Sequence, residues 1–358
     1  MADPVHMPNI SMPTRDELDP EASTPLEKCN LLPLTPPAST ERRGPSGFDA
    51  EEFLDALNND PVGAYAQRPP IKLTPGEYDR FTTALKGRRG PGPYNEDKLR
   101  FDYDPRCALL QIRMPKPIHG LFSAFLAEEI NEKLKTIAKR PDGAGEFAAW
   151  IYDGRSSLVL LREAAAEGDD PRLSGAVLKR DPDLQFQHQK AVYPGLVLEI
   201  SHSQDGKDLR KLAWDYIQCS NGNVKVVIGI DINYGSTSST VSLWRPKFIQ
   251  EEGELDVLDV EQEIKRQPFR SPTGESLNEG RNIRLTLDDF ATDELCEGLE
   301  PAEIYVPYGR LAELLRRAED IQKIRDQASG EGVKSKPRIK RRRRHSSSPE
   351  RLSSEGRS

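Results

Sequence analysis

The stretch DPDLQFQHQKAVYPGLVLEISHSQDGKDLRKLAWDYI, residues 181 to 217, decides the fold. The apolar run from Leu196 to Ile200 indicates a buried strand, in which alternate side chains point to opposite faces. Glu199 interrupts that run, and Asp183 lies in the strand-like stretch before it. Burying an ionised carboxylate is costly unless it is paired or binds a metal ion. These two acidic residues are therefore the first candidates for a functional site.

Strand-like and helical patterns alternate on both sides of this stretch. Residues 119–140 repeat apolar side chains every three or four positions and predict an amphipathic helix, and residues 206–218 predict another. Two strands joined by a turn at Asp104-Pro105 precede the first helix, and one continuous strand is predicted across residues 177–188. The alternation predicts an α/β fold with a mixed central sheet flanked by helices.

The composition divides the chain into five parts. Both ends are poor in apolar residues and rich in Pro, Ser or like charge, so they are predicted to be disordered. A Gly/Pro-rich linker separates a small helical segment from the predicted core. The predicted parts are 1–46 (disordered), 47–98 (small helical segment and linker), 99–295 (core), 296–330 (C-terminal helical segment) and 331–358 (basic, Ser-rich disordered tail).

Charge and cysteine content bound the cellular setting. The net charge of -7 conceals a strongly basic run from Lys334 to Arg344, which suggests contact with an import receptor or with nucleic acid. The four cysteines contain no CxxC pair, which favours a reducing compartment over a cysteine metal site. The longest apolar run, near residues 224–232, is too short to span a bilayer. We expect an intracellular protein, nuclear or cytoplasmic, without membrane contact.

A divalent cation would resolve the repulsion between Asp183 and Glu199. Neighbouring strands lie about 5 Å apart, so carboxylates on adjacent strands are close enough to share one ion. Mg²⁺, or Mn²⁺ in its place, prefers oxygen ligands and binds one or two carboxylates plus water. Such an ion can activate water and stabilise the charge that develops on a phosphodiester.

The order of these parts resembles the PD-(D/E)xK superfamily, whose fold is that of restriction endonucleases. Pro182-Asp183 and Glu199 match its motif, whereas Ser201 stands at the position of its lysine. The stretch from Leu99 to Ala291 also resembles a large bacterial family of restriction endonuclease-like proteins and fungal proteins that share this core. The further matching pieces are Met114-Pro115, His119, Asp208, Lys211, Tyr216 and the late segment IRLTLDDF.

The resemblance implies a restriction endonuclease-like fold and a Mg²⁺-dependent nuclease that acts on DNA. Asp183, Glu199 and the main-chain carbonyl of Ile200 would bind the metal ion. Lys211 would supply the missing lysine from the next helix, and Lys207 is the second candidate. The alternative is a catalytically inactive relative that keeps the fold as a nuclear binding or scaffold protein, which Ser201 favours.

Several residues have a second interpretation. Glu199 can instead cap its strand and pair with Lys211 or Arg210. Glu129 can supply a third carboxylate or remain an ordinary helix residue. The apolar stripe from Leu311 to Ile324 is typical of a core or docking helix. A purely structural interaction protein is a third functional class, and the sequence predicts no oligomeric state.

Overall fold

The computed structural model of the chain describes residues 49–59, 70–87, 100–113, 117–154, 158–162, 177–202, 208–233, 238–250 and 257–326. The terminal stretches predicted to be disordered lie outside these ranges. Lys207 and the basic run from Lys334 to Arg344 lie outside them as well.

The described residues form a mixed α/β structure, as the alternating pattern predicted. The strands are β1 (Ile71–Lys72), β2 (Arg100–Asp104), β3 (Leu109–Arg113), β4 (Ile151–Gly154), β5 (Val159–Arg162), β6 (Val177–Arg180), β7 (Leu184–His188), β8 (Leu196–His202), β9 (Val226–Ile232), β10 (Ser239–Ile249), β11 (Val257–Arg270), β12 (Asn282–Thr286) and β13 (Glu303–Pro307). The helices are α1 (Ala50–Asn59), α2 (Pro75–Gly87), α3 (Pro117–Ile137), α4 (Gly143–Ala149), α5 (Leu209–Gln218), α6 (Asp293–Cys296) and α7 (Tyr308–Asp326), with a 3₁₀ turn at Leu287–Phe290.

The main sheet has six strands in the order β11-β10-β9-β8-β7-β4. Strands β8 and β9 are parallel, and the other neighbours in this sheet are antiparallel. Helix α5 lies between β8 and β9 in the chain, because a parallel pair needs a crossover connection. The sheet is therefore mixed, as expected, and its single parallel pair carries Glu199 on β8.

A second sheet of five strands has the order β1-β3-β2-β6-β5. Strands β1, β2 and β3 of this sheet pack with α1 and α2 around one apolar cluster that includes Leu54, Phe81, Phe101 and Leu110. This cluster joins residues from both sides of the predicted boundary between residues 98 and 99. The small helical segment and the first hairpin thus share one core.

The continuous strand predicted across residues 177–188 is wrong. The chain forms β6 in the five-stranded sheet, and then β7 in the six-stranded sheet. The link between them is Asp181-Pro182-Asp183. Pro182 has no N–H to donate to a ladder and a fixed φ, so the strand ends there and the chain crosses to the other sheet.

The six-stranded sheet buries different residues on its two faces. One face packs against α3, α4, α7 and the β12–β13 hairpin in the largest apolar cluster, which includes Leu198 and Ile200. The other face packs against α5 and the five-stranded sheet, in a cluster that includes Val197. The strand alternation predicted for β8 is observed, and Glu199 shares the α5 face with Val197.

The two long amphipathic helices lie in the same large cluster. The predicted apolar stripe of α3 is buried along most of its length, and α7 buries Leu311, Leu314 and Leu315. Ile324, at the end of the predicted stripe, is exposed. Within the described ranges, no helix is long and apolar enough to cross a membrane.

Candidate functional site

The candidate site lies at the carboxyl ends of β8 and β9, on the face covered by α5. Leu184 pairs with Leu198 in the antiparallel register of β7 and β8, so Asp183, one residue earlier, stands opposite Glu199. Because β7 runs opposite to β8, the start of β7 lies at the same sheet edge as the end of β8. The structure thus places Asp183, immediately before β7, opposite Glu199 on the neighbouring strand β8.

Glu199 is completely buried, with 0% of its surface exposed. Its Oε1 accepts a hydrogen bond of 2.7 Å from the Tyr216 hydroxyl. Tyr216 is itself fully buried on α5. Helix α5 begins at the N-cap Asp208, whose side chain accepts from the Lys211 N–H, and this cap fixes where Tyr216 meets the sheet.

Asp183 is held against the backbone of β8. Its N–H donates to the carbonyl of Leu198 at 3.1 Å. Its Oδ2 accepts from the N–H of Ile200 at 2.7 Å. The Asp183 carboxylate therefore lies beside the residue that follows Glu199, which is the residue predicted to lend its carbonyl to a metal ion.

The register continues from Glu199 across the sheet. Glu199 stands beside Gly229 on β9, and Gly229 stands beside Ser242 on β10. A Cβ atom on Gly229 would lie 2.8 Å from the Trp244 ring and 3.2 Å from the Leu209 side chain. The absence of a side chain at Gly229 therefore lets the start of α5 approach this row of residues closely.

A cluster of charged residues, here called the arginine clamp, holds α5 beside the site. Arg180 donates to Asp215 at 2.5 Å, and Arg106 donates to the other oxygen of Asp215 at 2.9 Å. Arg106 also forms an ion pair with Asp104 at 2.9 Å. The clamp joins the β2–β3 hairpin, the end of β6 and α5.

The clamp favours the charged forms of Arg180 and Asp104 despite burial. Burial by itself would lower the pKa of Arg180, but the carboxylates of Asp102 and Asp215 raise it overall. Burial would likewise raise the pKa of Asp104, and the guanidinium of Arg106 holds it below its usual value. Since Arg180 precedes Asp183 by three residues and Asp215 adjoins Tyr216, the clamp positions both halves of the site.

Lys211 lies in the first turn of α5 and is partly buried. This turn begins at Leu209, the helix residue next to Gly229, so Lys211 lies at the same edge of the sheet as the acidic pair. The Tyr216 hydroxyl donates a hydrogen bond to Glu199. The ion pair of Glu199 with Lys211 or Arg210 stays a prediction.

Glu129 does not join the acidic pair. It lies on α3, which packs on the opposite face of the six-stranded sheet. Its carboxylate pairs with Arg310 at 2.8 Å and with Lys133 at 3.0 Å. Burial alone would raise its pKa, and these two cations lower it below the usual value. Glu129 therefore serves the contact between α3 and α7.

The donor set fits a hard cation with few protein ligands. Among the described residues, no group of three or more His, Cys, Asp or Glu side chains could hold a metal ion. Mg²⁺ commonly uses one or two carboxylates and fills its remaining positions with water or substrate oxygens. Asp183 and Glu199 supply two, and the backbone of Ile200 adjoins Asp183.

Sequence reasoning missed the partners of the two carboxylates. Tyr216 was recognised as one of several matching positions, without a role. The arginine clamp was not recognised, although Asp215 is a charged residue within an apolar helical pattern, which is the available signal. The clamp joins residues that are far apart in the chain, such as Arg106 and Asp215. The sequence pattern alone could not pair them.

No protein-family model matches the chain, and no curated protein matches it. The functional interpretation therefore depends on the acidic pair and its surroundings.

Proposed function

We propose that the protein is a metal-dependent nuclease that hydrolyses DNA phosphodiester bonds at the acidic pair. The observation that supports the proposal is the position of Asp183, immediately before β7, opposite Glu199 on the neighbouring strand β8. Two buried carboxylates so placed repel each other and cost stability, which a bound cation offsets. The restriction endonuclease-like identity of the fold belongs to this proposal, supported by the mixed sheet and the order of its parts.

Each residue has a distinct role in the proposed site. Asp183 and Glu199 would hold Mg²⁺ or Mn²⁺, with the Ile200 carbonyl as a further ligand. When bound, the ion supplies an activated water and charge stabilisation at the phosphate. Lys211 would offset negative charge on the phosphate from the first turn of α5, and Tyr216 keeps the Glu199 carboxylate in one orientation through its hydroxyl.

The test combines calorimetric metal titration with a plasmid-nicking assay. Asp183→Ala and Glu199→Ala are each expected to abolish both metal binding and cleavage, because each leaves the cation with one carboxylate. Lys211→Ala should lower turnover while metal binding persists. Glu129→Ala is the matched control, since it removes a partly buried carboxylate from the opposite face of the sheet. Cleavage that survives Glu199→Ala would show that the site is wrongly assigned.

A catalytically inactive binding or scaffold protein is the second candidate. Two observations favour it: Glu199 is completely buried, and Ser201 occupies the position of the superfamily's lysine. In this case the acidic pair is a structural remnant, stabilised by Tyr216 and the Ile200 N–H. Wild-type protein that neither binds Mg²⁺ or Mn²⁺ nor cleaves DNA would support this candidate over the nuclease.

The basic run from Lys334 to Arg344 is proposed to bind an import receptor and direct the protein to the nucleus, where DNA is available. Substituting glutamine for Arg341 to Arg344 is expected to shift a fluorescently tagged protein toward the cytoplasm. The matched control substitutes four arginines of the folded part, Arg284, Arg316, Arg317 and Arg325. An unchanged nuclear fraction in the tail variant would refute the import role.

A further inference from the structure

The row of residues that contains the acidic pair ends at a β-bulge on β11. Val241 of β10 pairs with Gln267 and Leu243 pairs with Ile264, so Ser242 faces two residues, Lys265 and Arg266. Ser242 in turn stands beside Gly229, the neighbour of Glu199. Bulges redirect side chains and are common next to functional sites. This bulge places Arg266 at the far end of the row that starts at Asp183.

The backbone of Arg266 is strained. Its φ is 42°, in the left-handed region that residues with a side chain rarely occupy. Its N–H donates to the Ser242 hydroxyl at 3.1 Å, which holds the bulge in this conformation. A strained position persists only when the surrounding structure enforces it, and such positions concentrate at functional sites.

The side chain of Arg266 is mostly exposed and makes one long ion pair among the described residues. Its Nη2 lies 3.4 Å from Asp231 Oδ2, while 70% of the side chain is exposed. Asp231 is buried, and among the described residues its Oδ1 has no hydrogen-bond partner. The guanidinium carries five N–H donors, so most of them face solvent.

Another arginine of β11 illustrates what a stabilising pair looks like in this protein. Arg270 donates through both terminal nitrogens to both oxygens of Glu319, at 2.6 Å each, and both side chains are 11% exposed. That fork is buried and fully matched, whereas Arg266 makes a single long contact. The strain at Arg266 is therefore not explained by the ion pair with Asp231.

We infer that Arg266 binds a backbone phosphate of the DNA strand that enters the site, which makes Arg266 a substrate-binding residue. Arg266 belongs to the same face of the sheet as the acidic pair, because its guanidinium reaches Asp231 next to the Gly229 row. An exposed guanidinium matches phosphate oxygens with two parallel N–H donors. Asp231 holds the guanidinium in place without using all its donors. This inference extends the proposed nuclease function by naming where the substrate backbone is held.

The test measures binding of a short fluorescent DNA duplex in EDTA, so that binding is separated from cleavage. The full chain is used, with glutamine at Arg341 to Arg344 to reduce the contribution of the tail. Arg266→Gln is expected to weaken binding about tenfold, equivalent to about 1.4 kcal/mol. The slope of log affinity against log salt should fall by about 1. Arg284→Gln is the control, because Arg284 is 63% exposed and lies on β12, away from the row.

Arg266→Gly tests whether the positive φ of residue 266 strains the backbone. Both Arg266 variants lose the contact with Asp231, but only glycine relaxes the positive φ. Arg266→Gly should therefore melt at a higher temperature than Arg266→Gln and bind DNA as weakly. A lower melting temperature for Arg266→Gly would refute the backbone strain assigned to this position, whereas DNA binding by Arg266→Gly as tight as that of the parent chain would overturn the inference.

The binding results distinguish this inference from the proposed catalysis. If Arg266→Gln binds DNA like Arg284→Gln, or the parent chain does not bind DNA, the inference is wrong. If the wild type fails to cleave DNA but Arg266→Gln still weakens binding specifically, the nuclease proposal fails and the inference stands. If the wild type cleaves DNA, and Arg266→Gln and Arg284→Gln bind the duplex equally tightly, only the inference fails.

Discussion

Tyr216→Phe removes the hydrogen bond that the Tyr216 hydroxyl donates to Glu199. The change removes the hydroxyl that donates to Oε1 at 2.7 Å and leaves the buried ring in place. A hydrogen bond to a charged acceptor contributes about 1.5–3 kcal/mol to stability. We therefore expect the free energy of unfolding to fall by about 1.5–3 kcal/mol. For a folded region of this size, the melting temperature should fall by roughly 3–12 °C.

Tyr78→Phe is the matched control for this prediction. Tyr78 is also almost fully buried, and its hydroxyl has no hydrogen-bond partner among the described residues. Its ring stacks on that of Tyr103 with centroids 3.9 Å apart, a contact that phenylalanine keeps. Removing an unpartnered buried hydroxyl relieves a desolvation cost, so the stability should stay unchanged or rise.

Urea unfolding followed by tryptophan fluorescence provides the measurement, and Trp214 on α5 is one reporter. The same two variants also test function. If Glu199 binds a metal ion, loss of its orienting partner should weaken metal affinity or cleavage by about 10–100-fold. Tyr78→Phe should leave both unchanged. Equal stability and equal activity of the two variants would refute the role assigned to Tyr216.

Two further predictions concern the arginine clamp and a cysteine. Arg180→Ala should lower the free energy of unfolding by about 3–5 kcal/mol, because it leaves the buried Asp215 with the partly exposed Arg106 as its clamp partner. A double-mutant cycle with Asp215→Ala measures the coupling, and strict additivity would contradict the clamp. Burial, together with the charges of Asp288 and Asp293, raises the pKa of Cys296 to about 12. At pH 8 Cys296 is therefore a thiol, and it should be alkylated much more slowly in the folded protein than in the urea-unfolded protein. Mass spectrometry measures the two rates. Equal alkylation rates in the two states would contradict it.

The periodicity of the sequence predicted those elements whose side chains alternate regularly between two faces. Helices α3 and α7 and strand β8 are of this kind, and their buried faces match the pattern. The break at Pro182 was not predicted, because β6 and β7 have strand patterns that are compatible with a single strand. Which sheet each half joins depends on pairing that the pattern does not specify: β6 pairs with β2, far earlier in the chain, whereas β7 pairs with the following strand β8.

Long-range pairing also explains why the candidate site could be predicted only in part. The acidic pair was found because a carboxylate in an apolar strand is conspicuous in the sequence. Tyr216 is one buried aromatic residue among many, and its role depends on the angle at which α5 crosses the sheet. Arg266 is inconspicuous in the sequence because its significance depends on a β-bulge and a positive φ. Glycine is the residue type that indicates a positive φ, and Arg266 is not glycine.

Helix α5 is the element on which both the fold and the proposed chemistry depend. Its consecutive residues Asp215 and Tyr216 contact different partners, the arginine clamp and Glu199. A small rotation of α5 would therefore break a buried charge cluster and free the Glu199 carboxylate at the same time. This coupling gives the buried acidic pair a defined orientation before any ligand binds, because the clamp resists the movement that would expose it. It also means that a substitution at Arg106, which touches neither carboxylate of the pair, should disturb both.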